Sequence, residues 1–359
     1  MHQDLDTHLK KNAASAEYAS YGNRRLQSVT RLPVLDGLRA ISILLVLGAH
    51  MLPLGPKILQ LNYTAGAMGM SLFFSLSGFL ITSTLLHNPD VHAFLVRRLA
   101  RIVPLAYAYA FLVFGFLAYD PNAFFWTATF LLNYFPEGMV DGYNNHFWSL
   151  CVEVHFYLAI ALTVLVAGQR GIWIVWPACL AITALRIIEG TYINIQTHLR
   201  VDEILVGACI ATLYQEWWKV RARSAAALVA LAVIAWVISS NPYAGWLQYL
   251  RPYTTGAVLA SVLCLCQGRL VAALSSAPMR YVAAISYALY VVHPLTIHGW
   301  WNQGTILERY VFKRPISFAM CFAAAHLSTF YWEKFWQRAA RRWVERRTVR
   351  QARAAAVGS

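Results

Sequence analysis

Apolar runs long enough to cross a bilayer recur along nearly the whole of this 359-residue chain. Each run of about 20 such residues reads as one transmembrane helix. With 58% hydrophobic residues, 13% charged residues and a mean hydropathy of +0.48, the composition is not that of a soluble domain. The fold class expected is all-α: a polytopic integral membrane helical bundle. The net charge of +14 fits cytoplasmic loops and anionic lipid headgroups, with no nucleic-acid partner expected. All six cysteines fall in apolar stretches without metal-ligand spacing, so buried packing is expected and no metal.

The pattern gives about ten spans, near 36–54, 66–86, 103–119, 146–166, 171–188, 199–217, 224–240, 253–268, 282–301 and 315–334. Residues 122–135 are apolar and aromatic but too short to cross, and read as an interfacial or re-entrant segment. Residues 1–34 form a polar cytoplasmic tail with no cleavable leader, 35–335 a transmembrane domain, and 336–359 a basic cytoplasmic tail. With both termini inside, the inner segments hold 22 Lys and Arg and the outer segments six. That bias supports the orientation.

Ionisable groups inside spans carry the functional argument, because burying them in a membrane is costly. Arg39 and His50 lie eleven residues apart on the first span, about three turns, so they share one face. The rise between them is about 16 Å. Either His50 is a working group, or it is bonded structurally to a neighbouring helix with Arg39 as an interfacial anchor. Glu153 lies about 10 Å in from the outer end of its span. At nearly the depth of His50, it could orient that imidazole as a general base or pair with another polar group such as Arg200. Arg98 and Arg101, three apart in a basic loop before Pro104, suit either a phosphate-bearing ligand or a plain inner-face anchor. Arg200, Asp202 and Glu203 open one span, to bind a polar acceptor or to pair with each other. His293, read as lying mid-span before Pro294, lines a cavity or makes a structural hydrogen bond.

Five strings resemble the acyltransferase-3 family of membrane acyltransferases. They are Leu35-Asp36-Gly37-Leu38-Arg39-Ala40 with His50; Phe73-Phe74-Ser75-Leu76-Ser77-Gly78-Phe79-Leu80-Ile81-Thr82; Arg98 and Arg101 before Pro104; Trp148-Ser149-Leu150-Cys151-Val152-Glu153 with Phe156-Tyr157; and Ile285-Ser286-Tyr287-Ala288-Leu289-Tyr290 with His293-Pro294. They span about 33–335. The chain departs from the family where Val154 follows Glu153, since relatives often carry a second acid there. Many relatives also continue into an extracytoplasmic hydrolase-like domain, whereas about 25 residues follow the last span here. That step is expected to be absent or supplied by another protein.

The resemblance implies transfer of an acyl group, most often acetyl, from cytoplasmic acyl-CoA to a hydroxyl. Acceptors in the family are mostly sugars of surface polysaccharides or glycolipids. It implies that Arg98 and Arg101, with Arg39 beside Asp36, hold the CoA phosphates, that His50 takes the hydroxyl proton with Glu153 orienting it, and that Ser77 or Tyr157 stabilises the oxyanion. Arg200, Asp202 and His293 are expected to support the acceptor. Expected partners are the lipid bilayer, a carbohydrate acceptor and polysaccharide-assembly proteins, in a bacterial inner membrane. Two other classes stay open: a proton-coupled transporter or flippase, and a structural partner in an assembly complex. Thioester turnover separates the first from an acyltransferase, and dispensable His50 and Arg39 would identify the second.

Overall fold

The computed structural model describes residues 32–217, 225–265 and 268–357. Most of the N-terminal tail and the basic residues Lys219, Arg221 and Arg223 lie outside the described residues. Among those described, every regular element is helical. The helices are α1 (Pro33–Met51), α2 (Leu61–His87), α3 (Val91–Leu112), α4 (Pro121–Ala128), α5 (Trp148–Ala167), α6 (Val175–Ile188), α7 (Asp202–Trp217), α8 (Ala225–Ser240), α9 (Arg251–Leu263), α10 (Arg269–Leu274), α11 (Ala277–Val292), α12 (Arg314–Leu327) and α13 (Lys334–Val357).

Five of these, with their flanking turns, are long and apolar enough to cross a membrane: α1, α2, α3, α5 and α6. The other five expected spans fall on α7, α8, α9, α11 and α12. Their α-helical parts run 13 to 16 residues, short of the roughly 20 that a straight crossing takes. Large apolar side chains such as Phe111, Leu162 and Leu180 stay exposed on outward faces, as lipid-facing residues do. The expected interfacial piece is α4 followed by turns, capped by Asp120, whose carboxylate accepts from Ala123 N at 3.0 Å.

Two local readings change. The stretch Arg97–Pro104 is not a loop. It lies within α3, which begins at Val91 behind an Asp90 cap and runs through Pro104 without a break. His293 does not lie within the α-helix. α11 ends at Val292, and His293 opens a 3-10 turn leading into Pro294. The basic tail is a helix: α12 passes through a π-helical turn (Ser328–Glu333) into α13. Arg347 meets Asp90 at 3.7 Å, and Trp343 packs edge-on against His92.

α2 is the centre of the bundle, buried on nearly every face, as a helix apolar all round should be. Hydrophobic burial does not drive helices together in lipid; small residues and polar contacts do. α2 has both. Gly69 abuts α1, where Ser42 Oγ donates to Gly69 O at 2.8 Å. Ser71 meets Thr255 of α9 at 2.9 Å. Ser75 Oγ donates to Glu203 O on α7 at 3.0 Å. The closest crossing is with α7: a Cβ on Gly78 would stand 1.9 Å from Ile204 O, and one on Gly207 would stand 1.9 Å from Ser75 O. Neither position has room for any side chain. We expect Gly78→Leu to lose most folded protein, since overpacking costs about 1–3 kcal/mol or more and here it meets backbone. Detergent size-exclusion chromatography after expression checks this against Gly168→Leu, where a Cβ meets nothing within 4 Å, though that glycine has φ +62°, so some strain is expected there too.

Candidate functional site

Most of the candidate site residues gather around two pockets. The larger, about 680 Å³, is lined by the C-terminal end of α1, the start of α2, the turns before α5, the loop before α7 and the end of α11. His50, His146, Arg200, Tyr290, His293 and His298 all face it. The smaller, about 20 Å³, is lined by Arg39 of α1, Ser77 of α2, Arg98 and Arg101 of α3, and Glu153 and Tyr157 of α5. Arg39 and His50 thus stand at opposite ends of α1, each in its own pocket.

In the larger pocket, His50 Nδ1 and His293 Nε2 are 3.1 Å apart. The two ring planes are within 4° of parallel, with centroids at 5.2 Å. His293 Nδ1 lies 2.7 Å from Tyr290 O. A carbonyl can only accept, so His293 Nδ1 carries the hydrogen. In the neutral ring its Nε2 is then a lone pair, and His50 must donate to it from Nδ1. This leaves His50 Nε2 as an unprotonated nitrogen on a side chain that lines the cavity. Sequence order supplies the clamp. Tyr290 holds His293 through its carbonyl and places its hydroxyl against α5, donating to His146 O at 2.6 Å beside Ser149 Oγ at 2.6 Å. His146 Nε2 donates in turn to Val291 O at 3.1 Å. Asn62 braces the chain after His50, donating to Ala49 O and Leu52 O at 2.7 and 2.6 Å and accepting from Leu54 N at 3.2 Å.

Glu153 is not the partner of His50. Its Oε1 accepts from Ser77 Oγ at 2.8 Å and from Tyr157 OH at 2.6 Å, in the smaller pocket. Tyr157 lies one helical turn after Glu153, so both side chains fall on one face of α5; Ser77 comes from α2. The same bonds engage Ser77 and Tyr157 with a carboxylate, away from the His50 cavity. Arg98 sits 5.8 Å from the faces of Phe94 and Tyr157, and Arg39 reaches Asp36 at 3.7 Å. Three guanidiniums against Glu153 and Asp36 leave this pocket cationic. Phe73 lines the smaller pocket and Tyr290 the larger. Their rings stack with centroids 6.4 Å apart, so one aromatic pair separates the two.

Arg200 and Asp202 belong to a buried ion network. Glu203 is shared between Arg251 Nε at 2.8 Å and Arg200 Nη2 at 3.2 Å. Asp202 pairs with Arg186 of α6. Arg251 and Arg186 both donate to Tyr192 O. Asp202 stays in this network, away from the cavity wall, while Arg200 lines it.

The sequence reading assigned no role to His146, Ser149, Tyr290, Asn62, Arg186 or Arg251. Ser149 and Tyr290 lie within the quoted strings, which was a usable indication. His146 and Asn62 act through backbone contacts that spacing does not reveal. No group of three or more metal-ligating side chains occurs among the described residues.

Comparison with known proteins agrees with this architecture. The family model for the acyltransferase domain matches residues 32–332. A Staphylococcus aureus (strain COL) protein named "Putative O-acetyltransferase" is 25% identical over 84% of this chain and 57% of its own length. The Bacillus subtilis "Putative peptidoglycan O-acetyltransferase YrhL" is 25% identical over 73% of this chain and 48% of its own. The Streptomyces mycarofaciens "Acyltransferase MdmB" is 30% identical over 37% of this chain and 39% of its own. The chain thus spans about half the length of the first two relatives. No solved structure matches.

Glu203→Leu leaves two buried guanidiniums without their carboxylate, and breaking a buried pair costs about 3–5 kcal/mol. We expect a clear drop in the thermal unfolding midpoint in detergent, and little change for Glu137→Leu, which lies on an exposed 3-10 turn.

Proposed function

The chain belongs to the acyltransferase-3 family and is a multi-pass membrane protein, and on that premise we propose that it moves an acyl group, most often acetyl, from acyl-CoA at its cytoplasmic face to a hydroxyl of a sugar in a surface polysaccharide or glycolipid. The O-acetyltransferase names of the relatives support the acyl group and the oxygen acceptor. The membrane is a bacterial inner membrane, with both termini in the cytoplasm. The observation that carries the reading is the chain from Tyr290 O through His293 to His50, which leaves an unprotonated imidazole nitrogen in a polar cavity.

In this mechanism the acceptor enters the larger pocket and its hydroxyl donates to His50 Nε2. As the oxygen attacks the thioester carbonyl, its proton passes to Nε2. The carbon–sulfur bond then breaks, and the departing thiolate takes that proton to become free CoA thiol. His293 keeps the basic nitrogen pointed at the acceptor, and the charge arriving on His50 spreads along the hydrogen bond toward it. Arg39, Arg98 and Arg101 take the phosphates of CoA, because guanidiniums bind phosphate through paired, charge-assisted hydrogen bonds. Glu153, anchored by Ser77 and Tyr157, holds those cations at their spacing. The long arm of CoA carries the thioester past the stacked Phe73 and Tyr290, one of which lines each pocket.

His50→Ala should abolish acyl-CoA turnover, read as acceptor-dependent thiol release in nanodiscs, with CoA binding retained. Arg98→Gln with Arg101→Gln should do the reverse, weakening CoA binding at least tenfold while the fold survives. His293→Phe should lower kcat by up to about 10²- to 10⁴-fold, the range a positioned acid–base contributes, with little change in KM. Full activity in His50→Ala contradicts this reading.

A further inference from the structure

The buried ion network holds more positive than negative charge. Three guanidiniums (Arg186, Arg200, Arg251) share two carboxylates (Asp202, Glu203). Asp202 is taken by Arg186; Glu203 gives Oε1 to Arg251, the shorter of its two contacts, and its Oε2 stands 3.2 Å from Arg200 Nη2 without a hydrogen bond. One positive charge is left over in a region shielded from water, and a buried charge without a counter-charge is expensive.

The surplus falls on Arg200. Its side chain is 3% exposed, only Nη2 reaches a carboxylate, and neither Nε nor Nη1 has a hydrogen-bond partner in the protein. Arg186 Nε and Arg251 Nη1 are unpartnered as well, but of the three arginines only Arg200 lines the cavity that holds His50. The faces of Trp148 and Phe74 stand 5.3 and 6.0 Å from its guanidinium. They stabilise a cation without supplying an acceptor for its N–H groups. The one carboxylate on the cavity wall, Asp141, is engaged by Asn145 Nδ2 at 3.1 Å.

We propose that Arg200 is the anion-binding group of the acceptor site, so that the cavity selects an acceptor carrying an anionic group, carboxylate or phosphate, near the hydroxyl to be acylated. This rests on the acyltransferase reading for its purpose, since the anion would fix the acceptor while His50 Nε2 meets its hydroxyl. A carboxylate would come from an acidic sugar, and a phosphate from a sugar carried on a phosphate ester. Either completes the pairing that the protein's own carboxylates leave unfinished.

The test is a binding measurement that needs no turnover. The full chain in nanodiscs is titrated calorimetrically with methyl glucuronide, glucose 1-phosphate and methyl glucoside, which share a pyranose ring and differ in charge. One anionic probe should bind at least tenfold more tightly than methyl glucoside, and which one names the source of the anion. Arg200→Gln should erase that preference and leave methyl glucoside binding unchanged; Arg200→Lys should keep part of it. If Arg200→Gln does not fold, Arg98→Gln with Arg101→Gln decides: the preference should persist without that cationic pocket, and its loss there overturns the proposal. Equal affinity for the three probes, or binding of none, overturns the proposal. Loss of thiol release in every assay would instead count against the acyltransferase reading, with the probe preference still standing.

Discussion

The contact between Gly78 and Ile204, with its counterpart between Gly207 and Ser75, is what the rest of the bundle is built on. Two helix backbones touch there without side chains between them. That closeness puts Ser75 within reach of Glu203 O, and so fixes the start of α7, where Arg200, Asp202 and Glu203 stand. Two residues on, Ser77 meets Glu153 of α5. One helix crossing therefore sets both the wall of the cavity and the anchor of the cationic pocket. In a membrane, where apolar surface gains nothing by leaving lipid for protein, close van der Waals approach and polar pairing have to do this.

The two pockets divide the chemistry by charge. Arginines gather around Glu153, and imidazoles gather where the ends of α1 and α11 meet the turns before α5. A single aromatic pair, Phe73 and Tyr290, lies between. Tyr290 joins the parts: its ring forms the partition, its carbonyl fixes the tautomer of His293, and its hydroxyl ties α11 to α5. An imidazole held by a second imidazole, itself held by a carbonyl, gives a base its direction without placing a carboxylate beside it. This differs from the usual carboxylate–imidazole pair and spares the cavity a buried negative charge.

The class of fold was legible in the sequence because length and hydropathy alone decide whether a segment belongs in a bilayer. The face shared by Arg39 and His50 and the small residues of α2 were legible because helical periodicity is strict. The pairing of Glu153 with His50 was inferred from matched depth, and depth along a membrane does not say which helices are neighbours. α2 and α5 itself supply the partners of Glu153; α11, far along the chain, supplies that of His50. The arginines of α3 read as a loop because charge and Pro104 masked a helix whose cap, Asp90, lies seven residues before the first of them. Arg186 looked like an isolated membrane charge and Arg251 like an outer-loop charge, since their partners come from α7 and the order of helix packing is not written in any local string.

The account turns on one nitrogen. Nitrogen-15 NMR of histidine-labelled protein in nanodiscs, with His50 assigned by its loss in His50→Gln, reports which ring nitrogens carry hydrogen. The structure predicts that His50 is protonated at Nδ1 and bare at Nε2, and that replacing His293 with Phe lets the two tautomers mix. A His50 that carries its hydrogen on Nε2 and is indifferent to His293 would contradict the account.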